Sequence, residues 1–126
     1  MKASHILIID DNQDILAMLK SMLELKGYRV SVKDNIRDIE PAIKALMPNV
    51  ILMDMLLSGA DGREVCKQLK ASPLLSRIPV IMISAHPNAE TECLEAGADF
   101  FLDKPFDMEN LFDVVGAAVK QSAGSV

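Results

Sequence analysis

Short apolar runs that end in a polar or charged residue recur along this 126-residue chain. The runs are residues 6–9 before Asp10 and Asp11, 50–53 before Asp54, 80–83 before Ser84, and 100–102 before Asp103, Lys104 and Pro105. The first three are continuously apolar, which is typical of parallel strands covered by helices on both faces. Parallel strands place their carboxyl ends along one edge of the sheet, where open α/β sheets bind ligands. The runs therefore predict an edge that carries carboxylates, a hydroxyl and a lysine.

Helical patterns alternate with these runs. Apolar spacing predicts helices at residues 12–26, 38–47, 62–71, 88–96 and from 108 to about 121, and alternation predicts a further strand at 28–33, near the sheet edge. Asn12 or Asp11 can cap the first helix, and Gly27 ends it. Residues 56–61 are predicted to form a loop. Because strands and helices alternate with short connections, the predicted fold is α/β, a single doubly wound (βα)5 domain with a parallel sheet.

Composition and charge exclude several classes of protein. Half of the residues are apolar and a quarter are charged, as in a globular domain that buries a core. A net charge of −5 without a basic cluster argues against direct binding to nucleic acid. Cys66 and Cys93 have no partner at metal-ligand spacing, so we expect neither a zinc site nor a disulfide. The chain shows neither a signal peptide nor a membrane-length apolar run, which predicts a cytoplasmic protein without membrane partners.

The charged residues at the predicted edge have structural explanations when each is taken alone. Asp10 and Asp11 can cap a helix, Asp54 can begin a turn, and Lys104 can be a solvated charge. Their joint position at strand ends favours a common site instead. Clustered carboxylates repel one another unless a cation neutralises them, and Mg²⁺ suits such oxygen ligands. The acids therefore predict a magnesium site.

A carboxylate beside Mg²⁺ can also act as a nucleophile. It can attack phosphorus and become an acyl phosphate, while a lysine neutralises the charge that develops. Lys104 can supply that charge, and the Ser84 hydroxyl can donate to a phosphoryl oxygen. These residue types thus point to phosphoryl transfer onto a carboxylate.

Four segments carry a resemblance to a known family. They are ILIIDD, NVILMDMLLSGADG, IPVIMISA and GADFFLDKPF, in this order. Over about residues 4–121 the chain resembles the receiver domain of bacterial two-component response regulators. The resemblance implies a flavodoxin-like, five-stranded parallel sheet with strand order 2-1-3-4-5. It also implies one receiver domain across residues 1–126, without an output domain, that acts as a signalling phosphoacceptor and not as an enzyme.

The resemblance also implies a role for each residue at the edge. The implied roles are Asp54 as phosphoryl acceptor; Asp10, Asp11, Asp54 and the Leu56 backbone carbonyl as Mg²⁺ ligands; and Ser84, Phe101 and Lys104 as phosphoryl-binding and switch residues. The bond between Lys104 and Pro105 would be cis, a form that proline makes accessible. Phe101 has a simpler explanation as well, because an aromatic residue in a strand usually belongs to the core.

Partners follow from the same resemblance. A sensor histidine kinase or a histidine phosphotransfer protein would supply the phosphoryl group. The surface of the fourth helix, fifth strand and fifth helix would then pass the signal to an unknown downstream protein. The protein would be a monomer or a phosphorylation-dependent dimer.

Several features depart from the common pattern of the family. Leu57 and Ser58 replace a Met-Pro pair after the acceptor, so the loop loses a rigid proline. The stretch from 84 to 97 is shorter than usual, which would trim the fourth helix or the loop before it. His86 and Leu56 occupy positions that can tune dephosphorylation, although a solvated loop histidine is the simpler interpretation of His86.

Other functions compete with this interpretation. Two are close to it: a receiver module cut from a hybrid kinase or multidomain regulator, and a pseudo-receiver that only binds proteins. A phosphotransferase of the haloacid-dehalogenase type would need an Asp two residues after the nucleophile, where this chain has Leu56. A flavodoxin-like nucleotide binder would need a glycine-rich or Ser/Thr-rich phosphate loop after the first strand, where Asp10 and Asp11 would repel phosphate.

Overall fold

The structure, a computed structural model, describes residues 3–57 and 59–124. The main elements in chain order are β1 (His5–Ile9), α1 (Gln13–Leu25), β2 (Arg29–Lys33), α2 (Ile39–Leu46), β3 (Val50–Asp54), α3 (Gly62–Ala71), β4 (Val80–Ser84), α4 (Ala89–Glu95), β5 (Phe100–Asp103) and α5 (Met108–Gly124). The strands pair in parallel in the order β2-β1-β3-β4-β5. The predicted α/β fold and strand order are therefore confirmed.

Helices cover both faces of this sheet. α1 and α5 pack on the face that carries Ile6 and Ile8 of β1, whereas α2, α3 and α4 pack on the face that carries Leu7 and Ile9. The apolar residues of β1, β3 and β4 are buried on both faces. This burial is the reason that their sequences are continuously apolar and do not alternate.

The two outer strands are more exposed than the three central ones. Arg29 and Val32 of β2 are exposed, and so is Asp103 of β5. The predicted edge position of the 28–33 segment is confirmed. Charged residues along an outer strand also oppose pairing with another chain.

The first helix begins at a capping residue, as predicted. The Oδ1 atom of Asn12 accepts a hydrogen bond from the backbone N of Ile15 at 3.0 Å, and Gly27 follows the helix with a φ of +94°. This cap places the start of α1 directly after the acids that follow β1. The residues that α1 buries are Leu16, Leu19 and Leu23.

Two predicted boundaries differ from the structure. α5 continues to Gly124, past residue 121, because Ser122 and Ala123 do not interrupt a helix. Residues 56–61, predicted as a loop, contain an antiparallel ladder that pairs Leu56–Leu57 with Ala60–Asp61. Two-residue strands are too short to show a period in the sequence. Ser58, the position of the lost proline, lies outside the described residues.

The helices of the described segments differ in length. α4 has seven residues and α5 has 17. Trimming of the fourth helix, or of the loop before it, relative to the family stays a prediction. None of the described helices is long and apolar enough to cross a membrane.

Candidate functional site

The polar residues at the strand ends meet at one edge of the sheet. Asp10 and Asp11 follow β1, and Asp54 is the last residue of the neighbouring β3. Carboxylate oxygens of these three residues all lie within 4.8 Å of one another. One cation could therefore contact all three, as the sequence predicts.

Asp10 is the most buried acid of this cluster. Its side chain is 1% exposed, and its Oδ1 atom accepts a hydrogen bond from the backbone N of Asn12 at 2.9 Å. Within the described segments its Oδ2 atom has no hydrogen-bond partner. Burial raises the pKa of Asp10; the Asn12 hydrogen bond and Lys104 oppose this effect, and Asp54 adds to it. A buried, unpartnered carboxylate oxygen among like charges fits a hard cation such as Mg²⁺.

Asp54 lies between the acids and the lysine. Its Oδ2 atom accepts a hydrogen bond from Lys104 Nζ at 3.3 Å, and its Oδ1 atom accepts one from the backbone N of Leu56 at 3.3 Å. Lys104 follows β5, so its side chain must cross the end of β4 to reach Asp54 on β3. The backbone N of Lys104 donates to the carbonyl of Ser84 at 3.0 Å, which anchors the lysine beside that strand end.

Ser84 is buried at the end of β4. It is 4% exposed, and its Oγ atom accepts a hydrogen bond from the backbone N of His86 at 2.9 Å. The preceding residue of β4, Ile83, pairs with Asp54 in the sheet. The serine hydroxyl therefore lies at the same edge of the sheet as Asp54. His86 is exposed, and its Nδ1 atom lies 2.8 Å from the carbonyl of Pro87, so its ring contacts its own loop.

Leu56 and Phe101 occupy contrasting environments. The Leu56 side chain is 54% exposed, while its backbone is held in the short ladder beside the acids. Phe101 is half-buried and packs against the core beneath α2, α3 and α4. It also borders a cavity of about 320 Å³ that is lined by residues 85–91 of the loop and helix after β4. Phe101 thus combines a core contact with adjacent space into which it could turn.

A second cavity adjoins the site on the α1 side. It has a volume of about 390 Å³ and is lined by Ile15, Met18, Ala85, Lys104, Pro105 and Phe106. The Lys104–Pro105 peptide bond is cis, as the resemblance implies. Apart from Lys104, the lining is formed by apolar residues. An apolar surface therefore reaches the lysine that contacts Asp54.

Gly62 belongs to the site, although the sequence analysis did not single it out. It begins α3, and its backbone N donates to the carbonyl of Met55 at 2.6 Å. A Cβ atom at this position would lie 2.5 Å from the Asp54 carbonyl oxygen and 3.0 Å from that of Met55. Only glycine allows α3 to start this close to the end of β3. The Asp61–Gly62 pair at the start of the helix was the available signal.

Comparison with known proteins gives a consistent result. The sequence profile of the response regulator receiver domain matches residues 6–116. The phosphate regulon transcriptional regulatory protein PhoB of Pseudomonas aeruginosa is 32% identical over 124 residues, which are 97% of this chain and 54% of that protein. This chain spans about half the length of the first curated relatives that it matches.

Solved structures extend the likeness to the fold. The signal receiver domain of a signal transduction histidine kinase from Syntrophus aciditrophicus has a TM-score of 0.82 and 32% identity, with 97% of this chain and 92% of that chain covered. The receiver domain of the sensor histidine kinase PA1611 from P. aeruginosa has a TM-score of 0.85 and 26% identity, with 94% and 99% covered. That structure has a magnesium ion coordinated in its active-site cleft.

Proposed function

The chain belongs to the response regulator receiver domain family, and we propose on this basis that it accepts a phosphoryl group on Asp54 in the presence of Mg²⁺. The observation that carries the proposal is the position of Asp54 between the acidic cluster and Lys104. Its carboxylate lies within 4.8 Å of the Asp10 and Asp11 carboxylates, and it accepts a hydrogen bond from Lys104. An acid placed between a cation site and a lysine suits nucleophilic attack on phosphorus.

Four residues of this chain would hold the ion. They are Asp10, Asp11, Asp54 and, through its backbone carbonyl, Leu56. When bound, Mg²⁺ would neutralise the clustered carboxylates and the phosphoryl oxygens. The buried Oδ2 atom of Asp10 supports this assignment, because no described residue donates a hydrogen bond to it.

The chemistry of transfer is a displacement at phosphorus. The Asp54 carboxylate attacks the phosphoryl group of a phosphohistidine, the P–N bond breaks, and an acyl phosphate forms while the imidazole leaves. Lys104 would contact the transferred phosphoryl group and balance its negative charge, and the Ser84 hydroxyl would donate a hydrogen bond to a phosphoryl oxygen. The protein would act as a signalling phosphoacceptor and not as an enzyme with a turnover of its own.

The phosphodonor would be a sensor histidine kinase or a histidine phosphotransfer protein. The apolar cavity beside Lys104 supports this part of the proposal, because it offers an unoccupied apolar surface next to the reacting carboxylate. Met18, which lines this cavity, is 45% exposed. A helix that carries the phosphohistidine could bury its apolar face there while the imidazole reaches Asp54.

Phosphorylation would be reported by the surface of α4, β5 and α5. Ser84 would move toward the phosphoryl group, and Phe101 would turn into the cavity beside it, which is the feature that supports a switch at this position. The downstream protein is not assigned by the family. A cytoplasmic location is part of the proposal and agrees with two buried cysteines that form no disulfide.

Acetyl phosphate provides a direct test. The protein is incubated with this donor and Mg²⁺, and its mass is measured; we expect one added phosphoryl group. Asp54→Asn should remain unlabelled, as should the wild-type protein with EDTA. Asp14→Asn, which removes an exposed acid from the first turn of α1, is the matched control and should be labelled normally. Absence of label on the wild-type protein, under conditions that label another receiver domain, would favour a pseudo-receiver that only binds proteins.

A further inference from the structure

The α4 helix is held weakly by apolar packing and by its cap. Its buried residues are the small Ala89 and Cys93, whereas its large apolar residue, Leu94, is 44% exposed. The residue before the helix, Asn88, has a φ of +62° and makes no capping hydrogen bond with its side chain. Apolar stabilisation scales with the area buried, so α4 gains less of it than helices that bury leucines. Polar contacts therefore matter more for its position.

One arginine links α4 to the neighbouring helix. Arg63, in the first turn of α3, donates from Nη1 to Glu92 in the middle of α4. The same guanidinium donates from Nε to Asp61 Oδ1 at 2.9 Å and from Nη2 to Asp61 Oδ2 at 2.6 Å. Its side chain is 29% exposed. A planar guanidinium held on one edge by a carboxylate is pre-oriented to bind a second one.

Asp61 in turn is tied to the acceptor. It caps α3 by accepting a hydrogen bond from the backbone N of Arg63 at 2.9 Å, and its backbone pairs with Leu56 in the short ladder. The backbone N of Leu56 donates to Asp54 Oδ1 at 3.3 Å. A continuous series of contacts thus runs from Asp54 through Leu56, Asp61 and Arg63 to Glu92.

We propose that Arg63 is a positioning residue that fastens α4 to the acceptor segment, defined as the ladder Leu56–Leu57 with Ala60–Asp61. The state of Asp54 and the position of α4 then influence each other by a route separate from Ser84 and Phe101. Coupling between two sites is reciprocal, so a change on α4 must also be felt at the acceptor segment. The phosphoryl part of this inference rests on the proposed function, whereas the mechanical part does not.

Amide hydrogen exchange followed by NMR tests the mechanical part. Glu92→Gln removes the ion pair from α4 and leaves Arg63 and Asp61 in place. We expect α4 amides to exchange about fivefold faster, which is the size of effect expected when a partly exposed ion pair is lost. The amides of Leu56 and Leu57 should exchange about twofold faster. Glu95→Gln, three residues further along the same helix and exposed, is the control and should match the wild-type protein.

A second pair of variants tests whether the contact with Arg63 is responsible. Arg63→Gln should accelerate α4 exchange at least as much as Glu92→Gln, because it removes the contact with Glu92 and the contacts with Asp61 as well. The double variant should accelerate α4 exchange no more than Arg63→Gln alone, since the contact between the two residues is already lost in each single variant. Unchanged α4 exchange in Glu92→Gln would refute the claim that Arg63 holds α4 in position. Faster α4 exchange with unchanged exchange at Leu56 and Leu57 would refute the coupling and leave Arg63 as a local contact between α3 and α4.

The phosphoryl part is tested by the rate of labelling with acetyl phosphate and Mg²⁺. If acceptance of the phosphoryl group requires α4 to move, Glu92→Gln no longer has an ion pair to break and should be labelled about threefold faster than the wild-type protein. Labelling of Glu92→Gln at the rate of Glu95→Gln would refute this part. Should the wild-type protein take no label at all, the proposed function fails, and the exchange measurements still decide whether Arg63 couples the two segments.

Discussion

Replacement of Gly62 by alanine should damage the site and the fold together. The added Cβ atom would lie 2.5 Å from the Asp54 carbonyl oxygen, 3.0 Å from the Met55 carbonyl oxygen and 3.1 Å from Met82 Cε. The methionine can move, but the two carbonyls belong to backbone that is fixed by the sheet, where Met55 N donates to the carbonyl of Ile83 at 2.9 Å. Overpacking of this kind costs about 1–3 kcal/mol. A helical Gly→Ala change recovers roughly 0.5–1 kcal/mol.

The expected balance is a loss of about 2 kcal/mol in the free energy of unfolding, since the closest contact is with rigid backbone. Gly116→Ala is the matched control: it lies within α5 and a Cβ there meets no atom within 4 Å. That variant should gain about 0.5–1 kcal/mol. Urea unfolding would separate the two variants by about 3 kcal/mol.

Titration of Mg²⁺ supplies a second measurement. At the proposed magnesium site, displacement of the Asp54 backbone should weaken ion binding in Gly62→Ala, whereas binding should be unchanged in Gly116→Ala. The reasoning is refuted if Gly62→Ala is as stable as the wild-type protein. Stability close to that of Gly116→Ala would show that the backbone at the end of β3 is not rigid and moves to accommodate the methyl group.

Three further predictions concern other parts of the chain. Lys70 donates to the carbonyls of residues 76 and 78 and to a carboxylate at residue 99. Lys70→Met should therefore lower the free energy of unfolding, measured in urea, by about 2 kcal/mol. Lys67 forms only an exposed ion pair, so Lys67→Met should change this free energy by less than about 0.5 kcal/mol. Burial lowers the pKa of His5 below 6.5, and the charge of residue 29 adds to this effect. The unfolded chain therefore binds the proton more readily than the folded protein, so the free energy of unfolding should fall as the pH drops below 6.5. His5→Gln should reduce this dependence of stability on pH. Burial raises the pKa of Cys66 to about 11, so this thiol should resist iodoacetamide at pH 8 and react once the protein is unfolded; alkylation of the folded protein would contradict that assignment.

Much of the fold was predictable from local pattern. The runs 6–9, 50–53 and 80–83 are apolar at every position because both faces of their strands are covered, and this property appears directly in the sequence. The cap at Asn12 is equally local, since it satisfies an amide three residues away. The ladder of residues 56–61 was missed because two-residue strands carry no period, and the extent of α5 was underestimated because no residue stops it.

The candidate site was predictable in part. Asp10, Asp54 and Lys104 could be placed at one edge because each ends or follows an apolar run, and parallel strands bring such ends together. The burial of each acid could not be predicted. Only the tertiary structure shows that an oxygen of Asp10 is enclosed without a donor among the described residues, which depends on the elements that surround it.

Sequence by itself determined the architecture and the chemical character of the polar edge of the sheet, because periodicity and the change from apolar to charged residues are properties of neighbouring positions. Tertiary structure decided which atoms meet. Gly62 is needed because α3 starts against the backbone of Asp54. Arg63 reaches Glu92, 29 positions away, because α3 and α4 pack on the same face of the sheet. Contacts of this kind depend on how helices lie against one another, and no local pattern in the chain records them.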